Sequence, residues 1–397
     1  MTECPVCLSP ETSVFLQRGA VPVHQNLLFE SSASARSMQR GQLQMSVCSR
    51  CSFVFNSAFD ASLLSYGDLY DNSQNHSPAF DDHVNGLIKR LVSDRGVHDC
   101  TVVEVGCGKG EFLRKLAADP SLGIVAHGFD PAYLGPLELF DGRLRFHQTF
   151  YTAEAAQTAA DVIVSRHVIE HISRPRDLLS NIRSALESSP HAHVFFETPC
   201  VEWILKNQVA WDFFYEHCSL FTTTSLSRLF EECGFEVLGV DHVFNGQYQW
   251  LEARSCESMP DASDRHTHHA ESIRRLAEEF GQSDLERNAQ WSCQVADLKS
   301  RGNAALWGAG AKGVTFANLI DPDAVVFDSV VDVNPNKQGR YLAGTGHPIV
   351  APEQLQSRGV KTVFVLNPNY SDEIRAQLES LNATIDVVDL MGDVRTQ

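Results

Sequence analysis

The segment Glu104-Val105-Gly106-Cys107-Gly108-Lys109-Gly110 follows a short apolar run, Thr101 to Val105, and precedes a helical pattern from Glu111 to Ala118. Small cofactors approach the backbone at such strand-to-helix turns. Glycine permits the close approach and the unusual backbone angles. The spacing is G-x-G-x-G, whereas nicotinamide dinucleotide sites usually show G-x-G-x-x-G. Glu104 stands two positions before the first glycine, where a carboxylate would repel a pyrophosphate. It suits a ligand that carries an ammonium and a sulfonium, and S-adenosylmethionine is such a ligand. The next apolar run, Ile124 to Phe129, ends at Asp130, which is placed to accept hydrogen bonds from ribose hydroxyls. Glu104, Gly106, Gly108, Gly110 and Asp130 are therefore expected to bind the cofactor.

Two Cys-x-x-Cys pairs, Cys4/Cys7 and Cys48/Cys51, stand near the N-terminus, some 40 residues apart. Four thiolates are the ligand set of a closed, tetrahedral structural zinc site with no position left for water. Free thiols or a redox pair are the alternative. The start Met-Thr-Glu-Cys-Pro-Val-Cys lacks the basic-then-apolar pattern of a secretory signal, so a cytoplasmic protein is expected and disulfides are not.

A second glycine loop, Leu306-Trp307-Gly308-Ala309-Gly310-Ala311-Lys312-Gly313, is a true G-x-G-x-x-G after a strand-like run, with Asp332 about twenty residues on. By motif alone it reads as a nicotinamide site. A glycine loop at a helix N-terminus also binds any phosphate, and Lys312 and Lys337 add positive charge.

These motifs need a scaffold. Runs at Thr101 to Val105, Ile124 to Phe129, Asp161 to Ser165 and His193 to Glu197 alternate with helical patterns, as in a parallel sheet covered by helices. A second such series begins at Asn303 to Trp307 and continues with Val330 to Val333, Thr362 to Leu366 and Thr384 to Val388. The fold class is α/β, in four parts: a zinc-binding region over 1–75, a Rossmann-like S-adenosylmethionine-binding domain over 76–255, a helical linker over 256–300 and a C-terminal Rossmann-like domain over 301–397. A helix is expected from Ala79 to Asp94. The chain has 32 basic and 50 acidic residues, a net charge of −18, which disfavours nucleic acid as a partner. No run of 18 apolar residues suggests a membrane helix. Monomer and dimer both stay open.

The first loop, the helix after it and Asp130 together resemble the class I methyltransferases. That resemblance implies cofactor contacts from Ser165, Arg166 and His167, just past the third run. It also implies that Phe195-Phe196-Glu197-Thr198-Pro199 faces the substrate, while Glu170 and His171 read as the start of a helix. Over essentially its full length the chain is similar to the sugar C-methyltransferase family, which acts on nucleotide-linked deoxysugars in antibiotic biosynthesis. The most specific motif is Phe213-Phe214-Tyr215-Glu216-His217-Cys218-Ser219-Leu220-Phe221, close to the family's Y-H-E-H-F-S-Y-F. The resemblance implies that His217 is the base and Glu216 its partner. Carbon methylation beside a ketone needs an enolate, and a histidine near neutral pKa can take the α-proton while a carboxylate orients it or binds a hydroxyl. Phe214 and Tyr215 depart from the family's tyrosine and histidine, with Tyr215 kept as a substrate contact.

The family resemblance further implies that the stretch Tyr66 to Pro78 closes over the cofactor. Tyr70, Asn72 and Gln74 are then cofactor contacts, and Tyr66 and His76 substrate contacts. It assigns the second loop to a small-molecule substrate, nucleotide-linked, through Gly308, Gly310, Lys312, Asp332 and Lys337. Asn367 stands in a segment, Leu366-Asn367-Pro368-Asn369-Tyr370, that departs from the family's L-P-W-N. Competing readings are methylation of oxygen or nitrogen on another metabolite, a nicotinamide-dependent oxidoreductase using the second loop, and a non-enzymatic sensor of S-adenosylmethionine.

Overall fold

The computed structural model describes residues 2–64, 76–155, 159–256, 267–299 and 302–391. An N-terminal antiparallel sheet takes Thr12–Pro22, Arg40–Cys48, Val54–Asn56 and, from far along the chain, Ser219–Leu220. The strand that begins two residues after His217 thus closes the edge of the cysteine-bearing sheet.

The central sheet has eight strands. In spatial order they are Phe235–Val243, Tyr248–Ser255, His193–Pro199, Val162–Arg166, Thr101–Val105, Val125–Phe129, Leu144–His147 and Glu138–Leu139. The five from His193–Pro199 to Leu144–His147 run parallel, and antiparallel strands extend both edges. Helices cover both faces of the parallel strands, so Val102, Val103, Val105, Ile163 and Val164 are all buried. That explains why these strands read as continuous apolar runs. The helix expected over 79–94 is Pro78–Lys89 followed by one π turn, Arg90–Asp94, started by Pro78 and the Ser77 cap.

The C-terminal sheet is parallel, in the order Ile349–Val350, Phe327–Val331, Asn303–Trp307, Val360–Val365 and Asp386–Asp389. Between the sheets, the region expected to be a linker forms two helices, Thr267–Gln282 and Asp284–Lys299. They are structural rather than a tether. Phe280 packs on Phe213, ring centroids 4.9 Å apart, and on Phe15 at 6.4 Å. Arg18 donates to Asp284 at 2.7 Å in a buried ion pair. Leu16, Leu43, Trp211, Phe280, Trp291, Leu306 and Phe316 share one core that draws on the N-terminal sheet, the His217 segment, both helices and the C-terminal domain. Each such side chain contributes about 1.5–3 kcal/mol on burial. Among the described residues no helix is long and apolar enough to cross a membrane.

Candidate active site

The first glycine loop lies at the C-terminal end of Thr101–Val105. Gly106, Gly108 and Gly110 have φ of 72°, 53° and 79°. A Cβ on Gly106 would sit 2.3 Å from Val168, and one on Gly110 would sit 2.4 Å from the Phe146 ring. The Gly108 N–H donates to Asp130 Oδ2 at 2.9 Å, and the Ala132 N–H donates to Oδ1 at 2.8 Å. Asp130 is thereby fixed beside the loop, with a lone pair to spare on each oxygen. Glu104 is 3% exposed, and its Oε2 accepts no hydrogen bond. Burial pushes its carboxyl up to about 8; Arg166 opposes the rise and Asp130 adds to it. A cationic ligand group would satisfy this orphaned oxygen, so the loop fits S-adenosylmethionine.

Past the strand Val162–Arg166 the predicted trio divides. Ser165 is buried and donates to the Val105 carbonyl at 3.0 Å, bracing the glycine loop from behind. Arg166 donates to Glu197 Oε2 at 2.8 Å and lies over the Phe112 ring. Of the three, only His167 lines the cavity that also holds His217. It adopts a left-handed backbone, φ 54°, unusual for a residue with a side chain. Burial disfavours its charge, but Glu197 and Glu170 outweigh that and push it up to about 9. Glu197 also meets His83 Nε2 at 2.5 Å. Despite burial, Arg166 and then His167 hold Glu197 well below the usual carboxylate range.

The cavity, about 290 Å³, lies between the central sheet and the C-terminal domain, with His217 on its wall. The Phe214 and His171 rings clasp the imidazole, with centroids at 4.0 Å and 4.8 Å. Burial, then the neighbouring His171, His167 and Lys312, depress its pKa well below the ordinary histidine value. His217 is therefore held neutral, with a free nitrogen lone pair, and is a weaker base than an ordinary histidine. Glu216, 1% exposed, faces the N-terminal domain: the Gln25 N–H donates to Oε2 at 2.7 Å, and His24 Nδ1 lies 3.4 Å from Oε1. Glu216 also lines the cavity beside His217, whose imidazole is held between packed rings. Tyr215 is a correction, because it does not line the cavity. Its hydroxyl donates to the Asp60 carbonyl at 3.1 Å and accepts from the Asp60 N–H at 2.9 Å. Its ring fills the space beside Gly41, where a Cβ would come within 2.4 Å.

Gly308, Gly310, Lys312, Asp332, Lys337, Asn367 and His76 all line the same cavity as His217. Asp332 accepts the Ala309 N–H at Oδ2 and the Asn334 N–H at Oδ1, both at 2.8 Å, and Lys337 Nζ lies 3.7 Å away. Asp332 thus holds the second loop in the way Asp130 holds the first, with a lysine beside it. Lys312 is ion-paired with Asp212, just ahead of the His217 motif. Asn367 and Gln247 exchange side-chain amide hydrogen bonds of 2.7 and 3.0 Å, clamping the C-terminal domain to the central sheet. Asn26, Asp212, Gln247, Asn334, Tyr370 and Glu373 also line the cavity and were not anticipated. Glu373 accepts from the Ser77 hydroxyl and the Ala79 N–H, at 2.9 and 3.0 Å. Tyr66, Tyr70, Asn72 and Gln74 lie outside the described residues.

The four N-terminal cysteines converge in a buried cluster able to hold a metal ion. Sγ atoms are 3.6 Å apart for Cys4 and Cys51, and 3.5 Å for Cys7 and Cys48. These are far longer than a disulfide. They approach the roughly 3.8 Å that four sulfurs take up at 2.3 Å around a tetrahedral ion.

Two family models match the chain: a methyltransferase domain over residues 77–240 and a C-methyltransferase C-terminal domain over residues 268–385. With the sheet order and glycine loop above, they define an S-adenosylmethionine-dependent methyltransferase of the class I, Rossmann-like fold. The chain resembles the C-methyltransferases in both of these regions. It is 26% identical over 399 residues to the C-methyltransferase NovU of Streptomyces niveus, covering 94% of this chain and 91% of NovU. Among solved structures it is similar to the 1,6-didemethyltoxoflavin-N1-methyltransferase of Burkholderia thailandensis, at 14% identity and a TM-score of 0.34, covering 45% of this chain and 82% of that one. The magnesium protoporphyrin IX methyltransferase of Synechocystis PCC 6803 matches at 16% identity and a TM-score of 0.35, covering 48% and 90%.

Proposed function

We propose that the chain methylates a carbon of a nucleotide-linked keto-deoxysugar, through an enolate formed when His217 removes the α-proton. The observation that carries this reading is that His217 and the second glycine loop line one cavity. A reacting ketone and a distant phosphate then reach their partners in a single bound molecule. Neutral His217 accepts the proton at an imidazole nitrogen. Glu104, Asp130 and the first loop hold S-adenosylmethionine, which when bound supplies the electrophilic methyl and leaves as S-adenosylhomocysteine. His167, held protonated, and the neighbouring carboxylates set the polarity of the wall between the two ligands. Gly308, Gly310, Lys312 and Lys337 receive the phosphate end. Cys4, Cys7, Cys48 and Cys51 hold a structural zinc, which braces the sheet that Ser219–Leu220 completes next to the base.

The test uses a panel of nucleotide-linked keto-deoxysugars with methyl-labelled S-adenosylmethionine. The expected product carries the label on the carbon beside the ketone, and the acceptor exchanges its α-proton with D2O only when His217 is present. Label on oxygen or nitrogen, or exchange that survives His217→Asn, overturns the reading. Metal analysis should find one zinc per chain, lost in Cys48→Ser.

A further inference from the structure

One stretch of the cavity wall carries a carboxylate and two imidazoles whose ligand atoms all lie within 4.8 Å of one another: Glu170, His171 and His217. The two rings meet edge-on, with centroids 4.8 Å apart and planes at 83°. Glu170 is fully buried, and both its oxygens are fixed from outside the cluster. His167 Nδ1 lies 3.2 Å from Oε1, and the Thr198 hydroxyl donates to Oε2 at 3.1 Å. Outer bonds of this kind orient a ligating carboxylate and leave a lone pair on each oxygen. His171 Nδ1 is buried and makes no hydrogen bond, an orphaned polar atom that calls for an explanation.

Two imidazoles and one carboxylate, with further positions open toward a cavity, make up the donor set of an exchangeable dication site rather than a closed structural one. Nitrogen donors select zinc, cobalt or nickel over magnesium and calcium, which take oxygen. The cysteine cluster is a separate, all-sulfur site in the N-terminal sheet. We propose that Glu170, His171 and His217 form a second metal site, which takes a zinc-class dication and silences methyl transfer when filled. The silencing rests on the reading of His217 as the base: a metal-bound imidazole nitrogen has no lone pair for the α-proton.

The experiment adds Co2+ to the zinc-loaded full chain. Cobalt binds a given site more weakly than zinc and leaves the cysteine cluster intact. One further Co2+ per chain is expected, with d–d absorption and no thiolate charge-transfer band. Outer-shell changes alone cost about 10- to 100-fold in affinity, so His171→Asn, which removes a direct ligand, should weaken Co2+ binding at least about 100-fold. Saturating Co2+ should cut wild-type turnover at least about tenfold, since a ligated imidazole is lost as a base, and a chelator that spares the cysteine site should restore it. His217→Gln is the second variant, with circular dichroism checking the fold of both. No added Co2+ in the wild type, or binding unchanged in both variants, overturns the site. Bound Co2+ that leaves turnover unchanged or raises it overturns the silencing. Turnover that survives His217→Asn without metal instead refutes the base assignment and leaves the metal site standing.

Discussion

On the proposed reading, Glu104 makes cofactor affinity a pH-dependent quantity. Its carboxyl is pushed up to about 8 by burial, and its Oε2 accepts no hydrogen bond. Below that value the free protein holds Glu104 neutral, so binding a cationic ligand group first requires loss of a proton. The ionised fraction is about 1 in 100 at pH 6 and about 1 in 2 at pH 8, which sets an affinity gain of up to about 50-fold across that window. A hydrogen bond to a charged group contributes about 1.5–3 kcal/mol, or roughly 13- to 150-fold, so the interaction is large enough to support the gain. The perturbation is Glu104→Gln, which keeps the shape and removes the titration. The assay is S-adenosylmethionine affinity by calorimetry for both proteins at pH 6, 7 and 8. Taking their ratio cancels titration of the ligand's own amine. The ratio should rise with pH, and the two proteins should converge at pH 6. A ratio that stays flat would refute the assignment of Glu104 to the cofactor's cation.

His217→Asn should lower kcat by about 10²–10⁴-fold, the usual worth of a positioned base, while leaving cofactor affinity nearly unchanged by calorimetry. His167 is pushed up to about 9, above its unfolded value, so its ionic contacts stabilise the fold fully below about pH 6.5 and are lost as pH rises through about 9. Thermal melts from pH 6 to 10 should show a loss of at most about 3 kcal/mol that His167→Gln removes. Asn367→Ala breaks the paired amides with Gln247 and leaves a buried amide unsatisfied; urea unfolding should report about 1–3 kcal/mol. Gly281→Ala places a Cβ 1.8 Å from the Phe15 carbonyl oxygen, so the helix and the N-terminal sheet must separate. A loss of about 1–3 kcal/mol is expected in the same assay.

The parallel strands were legible because burial on both faces makes each a continuous apolar run. Thr101–Val105 and Asn303–Trp307 fall where the sequence puts them, and Val162–Arg166 is displaced by one residue. The edge hairpin was not legible: Phe235–Val243 leaves Leu238 exposed and shifts register near Gly239, which blurs the alternation a half-buried strand should show. The helices at 267–299 were visible as helices, but their role was not, because Phe15 and Phe213, against which they pack, are remote in sequence. At the site, motif chemistry picked out both glycine loops and the cysteines, and the family resemblance pointed to His217. It did not assign Ser165, Arg166 and His167 separately, because that depends on which way each side chain turns at a strand end. Gln247 and Asp212 carry no local signal; their partners, Asn367 and Lys312, are 120 and 100 residues away.

On the proposed reading the two glycine loops take ligand groups of opposite charge. Each follows a parallel strand, and each has an acid nearby that binds a loop N–H: Asp130 takes Gly108 and Asp332 takes Ala309. The difference lies in how the neighbouring carboxyls are partnered. Behind the first loop, Glu104 has a carboxyl oxygen with no hydrogen-bond partner, which a cationic ligand group would meet. Beside the second, Lys337 lies 3.7 Å from Asp332 and donates to the Ala309 carbonyl at 3.2 Å, balancing the acid from within. Lys312 is balanced by Asp212 rather than by anything in its own loop. An anion bound at Gly308 and Gly310 would therefore compete with Asp212 for Lys312. Asp212 immediately precedes the Phe213-Phe214 pair that leads into His217, so on the proposed reading occupancy of the phosphate end is felt at the base through a single ion pair. Asp212→Asn should then tighten binding of the free nucleoside diphosphate, whereas a Kd that is unchanged or weakened would show that Lys312 serves only to hold the two domains together.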